Sequence, residues 1–493
     1  MIFRKIICTQ FDKIQTPLRE KKYLSIIEYI EQWAQKTPHH PALAYSIDEH
    51  LSYKQLIEKS RILSQNIINN GVNQGDCIAI TGSDCYAIVV AMMATWMAGA
   101  VILPFDQNLP VAYVNKILQE AKAKFILLCD DSLDFNCRQE IKKIRVDANT
   151  SRIIGEQFDN KISNHLKIDP NSPAYIVCTS GTTGAPKKII GRHNSLAHFI
   201  IWQRDEFKIS SQDHGALLTS LSFDVVLRAI FVPLVSGATL YLRGSKRNVT
   251  NDILWLKQND ITFFNIVPTL AKSWLINQPV IDLKKLRFVF FAGEPLTDTF
   301  LLQWRKIIKG SAEFINLYGP SETTLAKSYY RIPGKIKSGI QPIGYSLPGS
   351  QIFIMDKEQY IFGTDQPGEI VIRTPYRTLG YINSKNENFV VNKYTNKKDD
   401  ILYFTGDLGK YNKQGELEIF GRIDSQVKIR GVRVDLLDVE VNLQKITNIE
   451  NAAVVVEVDK NEEKFIIAYF TTKNNKIIKP ATCLLYTSPS PRD

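Results

Sequence analysis

Short, almost wholly apolar runs alternate along most of this chain with longer amphipathic stretches, and that alternation limits the fold more than any other feature. "CIAITG" (77–82), "KFILLCD" (124–130), "ITFFNIV" (261–267) and "RFVFFAG" (287–293) read as strands buried on both faces. Between them, "YLSIIEYIEQWAQK" (23–36) and "DILWLKQND" (252–260) carry apolar residues at helical spacing. Strand and helix in turn predict an α/β protein with largely parallel sheets. After about Gly363 the texture changes: "GEIVIRT", "LYFTGDLGKY" and "GELEIFGRID" read as short strands with tight turns, a small β unit.

The 493 residues suffice for two or more domains. The net charge of +11, from 61 Lys+Arg against 50 Asp+Glu, is spread without a block of like charges, which argues against a nucleic-acid tail. The seven cysteines contain no C-x-x-C pair and the seven histidines no ligand-spaced cluster, so zinc and a disulfide scaffold are poorly supported and a reducing, cytoplasmic setting fits. The N-terminus lacks a signal-peptide pattern. "AIVVAMMATWMAGAVILPF" (87–105) approaches the length of a membrane span, but Gly99 and Pro104 interrupt it. A buried helix followed by a buried strand is expected there, and no membrane partner.

"TSGTTGAPKK" (179–188) follows the strand-like "AYIVC". Glycines let backbone amides converge on an anion, hydroxyls add donors and lysines add charge. Alone, the loop reads equally as a phosphate grip or as a polar turn; it is not a Walker loop. It resembles the signature of the adenylate-forming superfamily, and other stretches follow in that superfamily's order. "LSYKQL" (51–56) and "WMAGAVILPFDQNLP" (96–110) look like early core motifs of nonribosomal peptide synthetase adenylation domains. "SFDVV" (222–226), "NLYGPSETT" (316–324), "GEIVIRTPYRTLGY", "YFTGDLGKY" and "GRIDSQVKIRGVRVDLLDVE" (421–440) resemble the later ones. The resemblance spans about residues 22–470.

It implies a large N-terminal adenylate-forming domain (22–423), built of two α/β subdomains and a small β-barrel subdomain, and a small, incomplete α+β C-terminal domain (424–482). Residues 1–21 would be a leader or interdomain linker. The implied reaction is ATP-dependent, Mg²⁺-assisted activation of an α-amino acid as aminoacyl-AMP, with loading onto phosphopantetheine. The phosphopantetheine would sit on a peptidyl carrier domain in cis, with a condensation domain upstream. The loop Thr179, Ser180, Gly181, Thr182, Thr183, Gly184 and Lys187 would grip phosphates. Gly293, Glu294, Asn316, Tyr318, Gly319 and Ser321 would surround the nucleotide, with Tyr318 stacked on adenine. Glu322 would hold Mg²⁺, its alternative being a carboxylate at a helix start. Asp407 would accept the ribose hydroxyls, and Arg422 would contact ribose and phosphate. Asp424 would be the hinge of the small domain, and Lys428 and Gly431 would enter the site after its rotation, Lys428 serving thiol transfer.

Asp224 bears most on substrate class. It would pair with the substrate ammonium; its alternative is a cap for the following helix. Phe223, Val225, Arg228, Asn265, Phe290, Ala292, Leu317, Leu325 and Ala326 would complete the pocket. Arg228 stands where an uncharged residue is usual, a lean toward a polar or acidic substrate side chain. Lys188, Leu437 and Cys178 depart from the pattern without touching an implied phosphate or metal ligand. The superfamily's C-terminal catalytic lysine has no counterpart before the chain ends. The last eleven residues, "CLLYTSPSPRD" (483–493), correspond to one reading frame of a common transposase sequencing adapter, so they are expected to be an artefact and the chain an impaired, truncated enzyme. A D-alanine-carrier ligase, an acyl- or aryl-CoA ligase and a catalytically dead nucleotide-binding protein are the competing readings.

Overall fold

The computed structural model describes residues 10–46, 48–130, 140–147, 167–179, 187–243, 249–276, 279–383, 386–444, 446, 449–459 and 464–472. Ser180, Gly181, Thr182, Thr183 and Gly184 of the glycine-rich loop lie outside these residues, as do the side chains of Thr179 and Leu437 and the segment 473–493.

The expected strands form where the apolar runs lie. Cys77–Gly82, Val101–Pro104, Phe125–Cys129, Lys142–Arg145 and Pro173–Thr179 are parallel neighbours in a seven-stranded sheet. Lys187–Arg192 and Gly380–Ile382 extend its edge antiparallel. A second sheet has nine strands. Its parallel centre runs Glu313–Tyr318, Phe288–Ala292, Phe263–Ile266, His214–Ala216, Thr239–Tyr241 and Pro41–Ala44. Helices Ile26–Lys36, Tyr53–Asn69, Cys85–Met97, His193–Glu206 and Val225–Val235 supply one continuous apolar core that touches both sheets. The first of these starts at a capping box, Ser25 with Glu28, which satisfies backbone donors that a helix start leaves free. The segment 87–105 is the buried helix Cys85–Met97 followed by the strand Val101–Pro104. Among the described residues no helix is long and apolar enough to cross a membrane.

The small β unit is a five-stranded antiparallel sheet of Gln351–Met355, Gly368–Arg373, Ile401–Tyr411, Phe389–Val391 and Leu417–Arg422, with apolar clusters on both faces. One of those clusters includes Ile14, fully buried against Phe353, Val371 and Leu402. Arg373 also donates to the carbonyls of Lys13 and Thr16 at 3.0 Å each. Farther on, Glu20 pairs with Arg192 at 2.9 Å and Lys21 N donates to the Tyr376 hydroxyl at 2.8 Å. Residues 10–23 thus strap the β unit to the α/β core. Beyond Asp424 come the hairpin Gln426–Ile429/Val432–Asp435, the helix Leu436–Gln444 and the hairpin Ile449–Val458/Lys464–Thr472.

Candidate active site

A cavity of about 1160 Å³ opens outside the carboxyl ends of Phe263–Ile266, Phe288–Ala292 and Glu313–Tyr318. That is where open parallel sheets place their ligands, because the loops leaving the strands spread apart there. The cavity brings together Gly293, Glu294, Asn316, Tyr318, Gly319, Ser321, Glu322, Asp407, Arg422, Asp424 and Lys428 from segments far apart in sequence.

The carboxylates in this group are all engaged. Tyr318 donates its hydroxyl to Asp407 Oδ2 at 2.6 Å, and Arg422 Nη1 pairs with Asp407 Oδ1. Burial, reinforced by Asp407, holds the Tyr318 phenol well above its usual range. Arg422 also grips Asp424 through Nε at 2.6 Å and Nη2 at 2.7 Å. Although burial alone would raise it, this contact keeps the Asp424 carboxyl below the usual range. Glu294 Oε2 accepts from Thr269 N at 2.8 Å and Thr269 Oγ1 at 2.7 Å, at the start of the helix Pro268–Ser273. Asn316 is buried and donates to the Pro342 carbonyl at 2.9 Å.

Glu322 lies on the 3₁₀ turn Ser321–Thr323, with its side chain 2 % exposed. Its Oε1 accepts from the Tyr381 hydroxyl at 2.6 Å and from Arg433 Nη1 at 3.3 Å, and among the described residues Oε2 has no hydrogen-bond partner. Lys187, which closes the glycine-rich loop, places its ammonium 5.4 Å from the centre of the Tyr381 ring. The described end of that loop and Glu322 therefore share one aromatic neighbour. The two residues after the turn, Thr324 and Leu325, have φ of +68° and +60°. Non-glycine residues rarely adopt this region, and the strain gathers where surrounding packing fixes a functional geometry. Here it turns Leu325 and Ala326 onto the cavity wall.

The hairpin 426–435 covers the cavity. Lys428 faces Asp407 and Glu294, and burial lowers its ammonium pKa. At the hairpin tip Gly431 has φ +79°, and a Cβ there would sit 2.8 Å from Val267 Cγ1. Opposite it, a Cβ on Gly293 would lie 3.8 Å from Gly431 Cα, so two glycines let the hairpin backbone approach the strand end. Arg433 is tied to Gln426 and to Glu322. Burial works against its charge, yet Glu322 keeps the guanidinium more firmly protonated than usual.

On the other side lie Phe223, Asp224, Val225, Arg228, Ala292, Leu317, Leu325 and Ala326, all on the wall. Asp224 occupies the N-cap position of Val225–Val235, but its side chain makes no capping hydrogen bond. Burial raises the pKa of its carboxyl, against a hydrogen bond from Ser321 and the charge of Arg228. Two expected pocket residues do not reach the cavity. Phe290 packs in the core against Phe207, with ring centroids 4.8 Å apart, and against Phe263 and Phe288. Asn265 pairs with Phe290 in the sheet register and is likewise buried, its Oδ1 without a hydrogen-bond partner among the described residues. Lys188 is buried in an ion pair with Glu120.

Tyr381, Thr269, Thr405, Gln426 and Arg433 complete this arrangement and were not singled out in the sequence. Of these, Tyr381, Thr405, Gln426 and Arg433 lie inside stretches already quoted, where further polar residues carried no separate signal, and Thr269 lies outside them.

A family model described as AMP-binding enzyme matches residues 30–382. A plipastatin synthase protein of Bacillus subtilis (strain 168) is 30 % identical over 492 residues, covering 97 % of this chain and 18 % of that protein. Tyrocidine synthase 1 of Brevibacillus parabrevis is 28 % identical over 458 residues, covering 91 % of this chain and 40 % of that protein. The chain thus spans well under half the length of these relatives. Among solved structures, NpsA-ThdA, an artificially fused adenylation-PCP di-domain from Klebsiella oxytoca, superposes with a TM-score of 0.82 at 21 % identity, covering 94 % of this chain and 91 % of the other. Holo-PA1221, a protein containing adenylation and PCP domains, gives 0.84 at 21 % identity, covering 94 % and 79 %. These likenesses establish the fold, and the family match establishes the kinship: the chain belongs to the AMP-binding enzymes, the family of AMP-forming ligases.

Proposed function

We propose that the chain activates an α-amino acid. An oxygen of the substrate carboxylate attacks the α-phosphorus of ATP, the bond to the bridging oxygen breaks, and pyrophosphate leaves as the aminoacyl-AMP forms. The adenylate then passes to a phosphopantetheine thiol on a peptidyl carrier domain, with a condensation domain preceding it in the same assembly. The two relatives, both much longer synthases, support this setting.

Asp407 and Arg422 would hold the ribose and its neighbouring phosphate; a carboxylate has lone pairs to spare beyond Tyr318 and Arg422. The half of the loop outside the described residues, with Lys187, would take the outer phosphates. Mg²⁺ fits Glu322: the carboxylate is buried, one oxygen lacks a partner among the described residues, and a hard cation on ATP needs few protein ligands besides the phosphates. Bound there, it would offset charge on the departing pyrophosphate. Arg433 now meets the same carboxylate, so the present arrangement, with Lys428 and Gly431 over the cavity, suits the thiol-transfer half of the cycle. Asp424, locked to Arg422, is the proposed hinge.

The observation that carries the amino-acid reading is Asp224: a carboxylate on the wall of the nucleotide cavity that caps no helix through its side chain. It offers an ammonium the partner a buried carboxylate needs. Amino-acid-dependent ATP–pyrophosphate exchange tests this, run beside calorimetric binding of the same amino acids so that slow turnover is not mistaken for failure. Response to acyl or aryl acids alone, or to no acid, overturns it.

A further inference from the structure

Arg228 is among the most buried large side chains of the molecule, 2 % exposed, one turn into the helix Val225–Val235, yet it lies on the cavity wall. Its guanidinium carbon stands 5.9 Å from the centre of the Phe199 ring. Among the described residues Nε has no hydrogen-bond partner and Arg228 forms no ion pair. Among those residues the one carboxylate whose charge reaches it is Asp224, and burial lowers its pKa to about 10. Arginines are seldom buried without a carboxylate, because a desolvated guanidinium left unpaired is costly. Beyond Asp224 and the Phe199 ring, the wall residues Val225, Ala292, Leu317, Leu325 and Ala326 bring no charge. The missing anion must come from what enters the cavity.

Resting on the amino-acid reading, we infer that the substrate is an α-amino acid whose side chain ends in a carboxylate: Asp224 receives its ammonium and Arg228 its side-chain carboxylate. The two residues are four apart in sequence, about 6 Å along a helix axis, so a small dicarboxylic amino acid can address both. The α-carboxylate stays free for ATP. A guanidinium matches a carboxylate in a bidentate pair, which gives geometric selection over a neutral amide as well as attraction. The apolar remainder of the wall strengthens that pair by excluding water.

The test is calorimetric titration of the full chain, with a non-hydrolysable ATP analogue and Mg²⁺ present, using aspartate, glutamate, glutamine, leucine and lysine in turn. Aspartate or glutamate is expected to bind at least about 30-fold more tightly than glutamine or leucine, with Arg228→Leu abolishing that preference while affinity for the ATP analogue alone is unchanged. Arg228→Leu should also melt no lower than the parent chain, since an unpaired buried charge is removed; a clearly lower midpoint marks a structural arginine and overturns the inference. A second variant, Arg228→Lys, should keep a weakened acidic preference. Tight binding of leucine, lysine or glutamine but not of the acidic amino acids defeats this inference and leaves amino-acid activation standing. Binding of no amino acid defeats both.

Discussion

Glu322 and Arg433 make a contact whose removal should be felt throughout the hairpin that covers the cavity. The Nη1 to Oε1 separation is 3.3 Å, with the side chains 2 % and 19 % exposed. At an effective dielectric constant of about 20, two unit charges at that distance attract by about 5 kcal/mol. Desolvation returns part of this, and breaking such a pair from one side typically costs about 3 kcal/mol. Arg433→Gln removes the charge and leaves Glu322 buried against the hydroxyls of Tyr381 and Tyr403. Arg433 lies on the second strand of the hairpin 426–435, so the cost should fall on its docking. Amide hydrogen exchange across residues 427–434 is expected to speed up by about 100-fold, the equivalent of about 3 kcal/mol, with exchange in the core strands 288–292 unchanged. Glu322→Gln should loosen the same hairpin, and the double variant should be no looser than either alone, because each single change already removes the whole pair. Hairpin amides that exchange at the parental rate in Arg433→Gln would refute the reasoning.

Other expectations follow from single residues. Asp224→Ala should weaken amino-acid binding by about 30-fold or more while leaving ATP binding intact, measured by calorimetry. Because the Asp224 carboxyl titrates above its ordinary range, amino-acid affinity should fall as pH drops, beginning at a higher pH than a free carboxylate would give. Lys327 is fully buried and its ammonium is brought down to about 7 by burial and by Arg192. The unfolded chain therefore holds a proton that the folded chain has shed between about pH 7 and the ordinary lysine value. Thermal stability should rise with pH across that window, and Lys327→Met should flatten the rise and raise the midpoint at pH 6. Ile14→Ala should cost about 2–4 kcal/mol in denaturant unfolding if the N-terminal strap folds with the β unit, and free residues 10–23 for proteolysis if it does not.

The strands and the order of the motifs were legible because burial on both faces leaves a run of apolar residues that little else in a soluble protein requires. The Asp224, Glu322, Asp407 and Arg422 cluster was legible through family resemblance, not through spacing. Pocket depth was not. Phe290 and Ala292 share a face of one strand, but two residues are about 6.6 Å of strand, enough to carry Phe290 below the cavity and into the aromatic core. The packing of residues 10–23 leaves no mark in the stretch 1–21, expected to be a leader or interdomain linker, because its anchors, Arg373, Arg192 and Tyr376, lie more than 150 residues away. Nothing local to the segment announces Ile14 as a core residue. Arg433 and Tyr381 lie in stretches already quoted, but their contacts with Glu322 join distant segments and leave no pattern in either.

Amino-acid activation is tested most directly by binding a matched pair of acids, one α-amino acid and its analogue lacking only the ammonium, to the chain with a non-hydrolysable ATP analogue and Mg²⁺. The account predicts that the ammonium is worth about 30-fold or more in affinity, and that Asp224→Asn erases the difference. Equal binding of the two acids by the parent chain would contradict it and point to an acyl- or aryl-acid ligase.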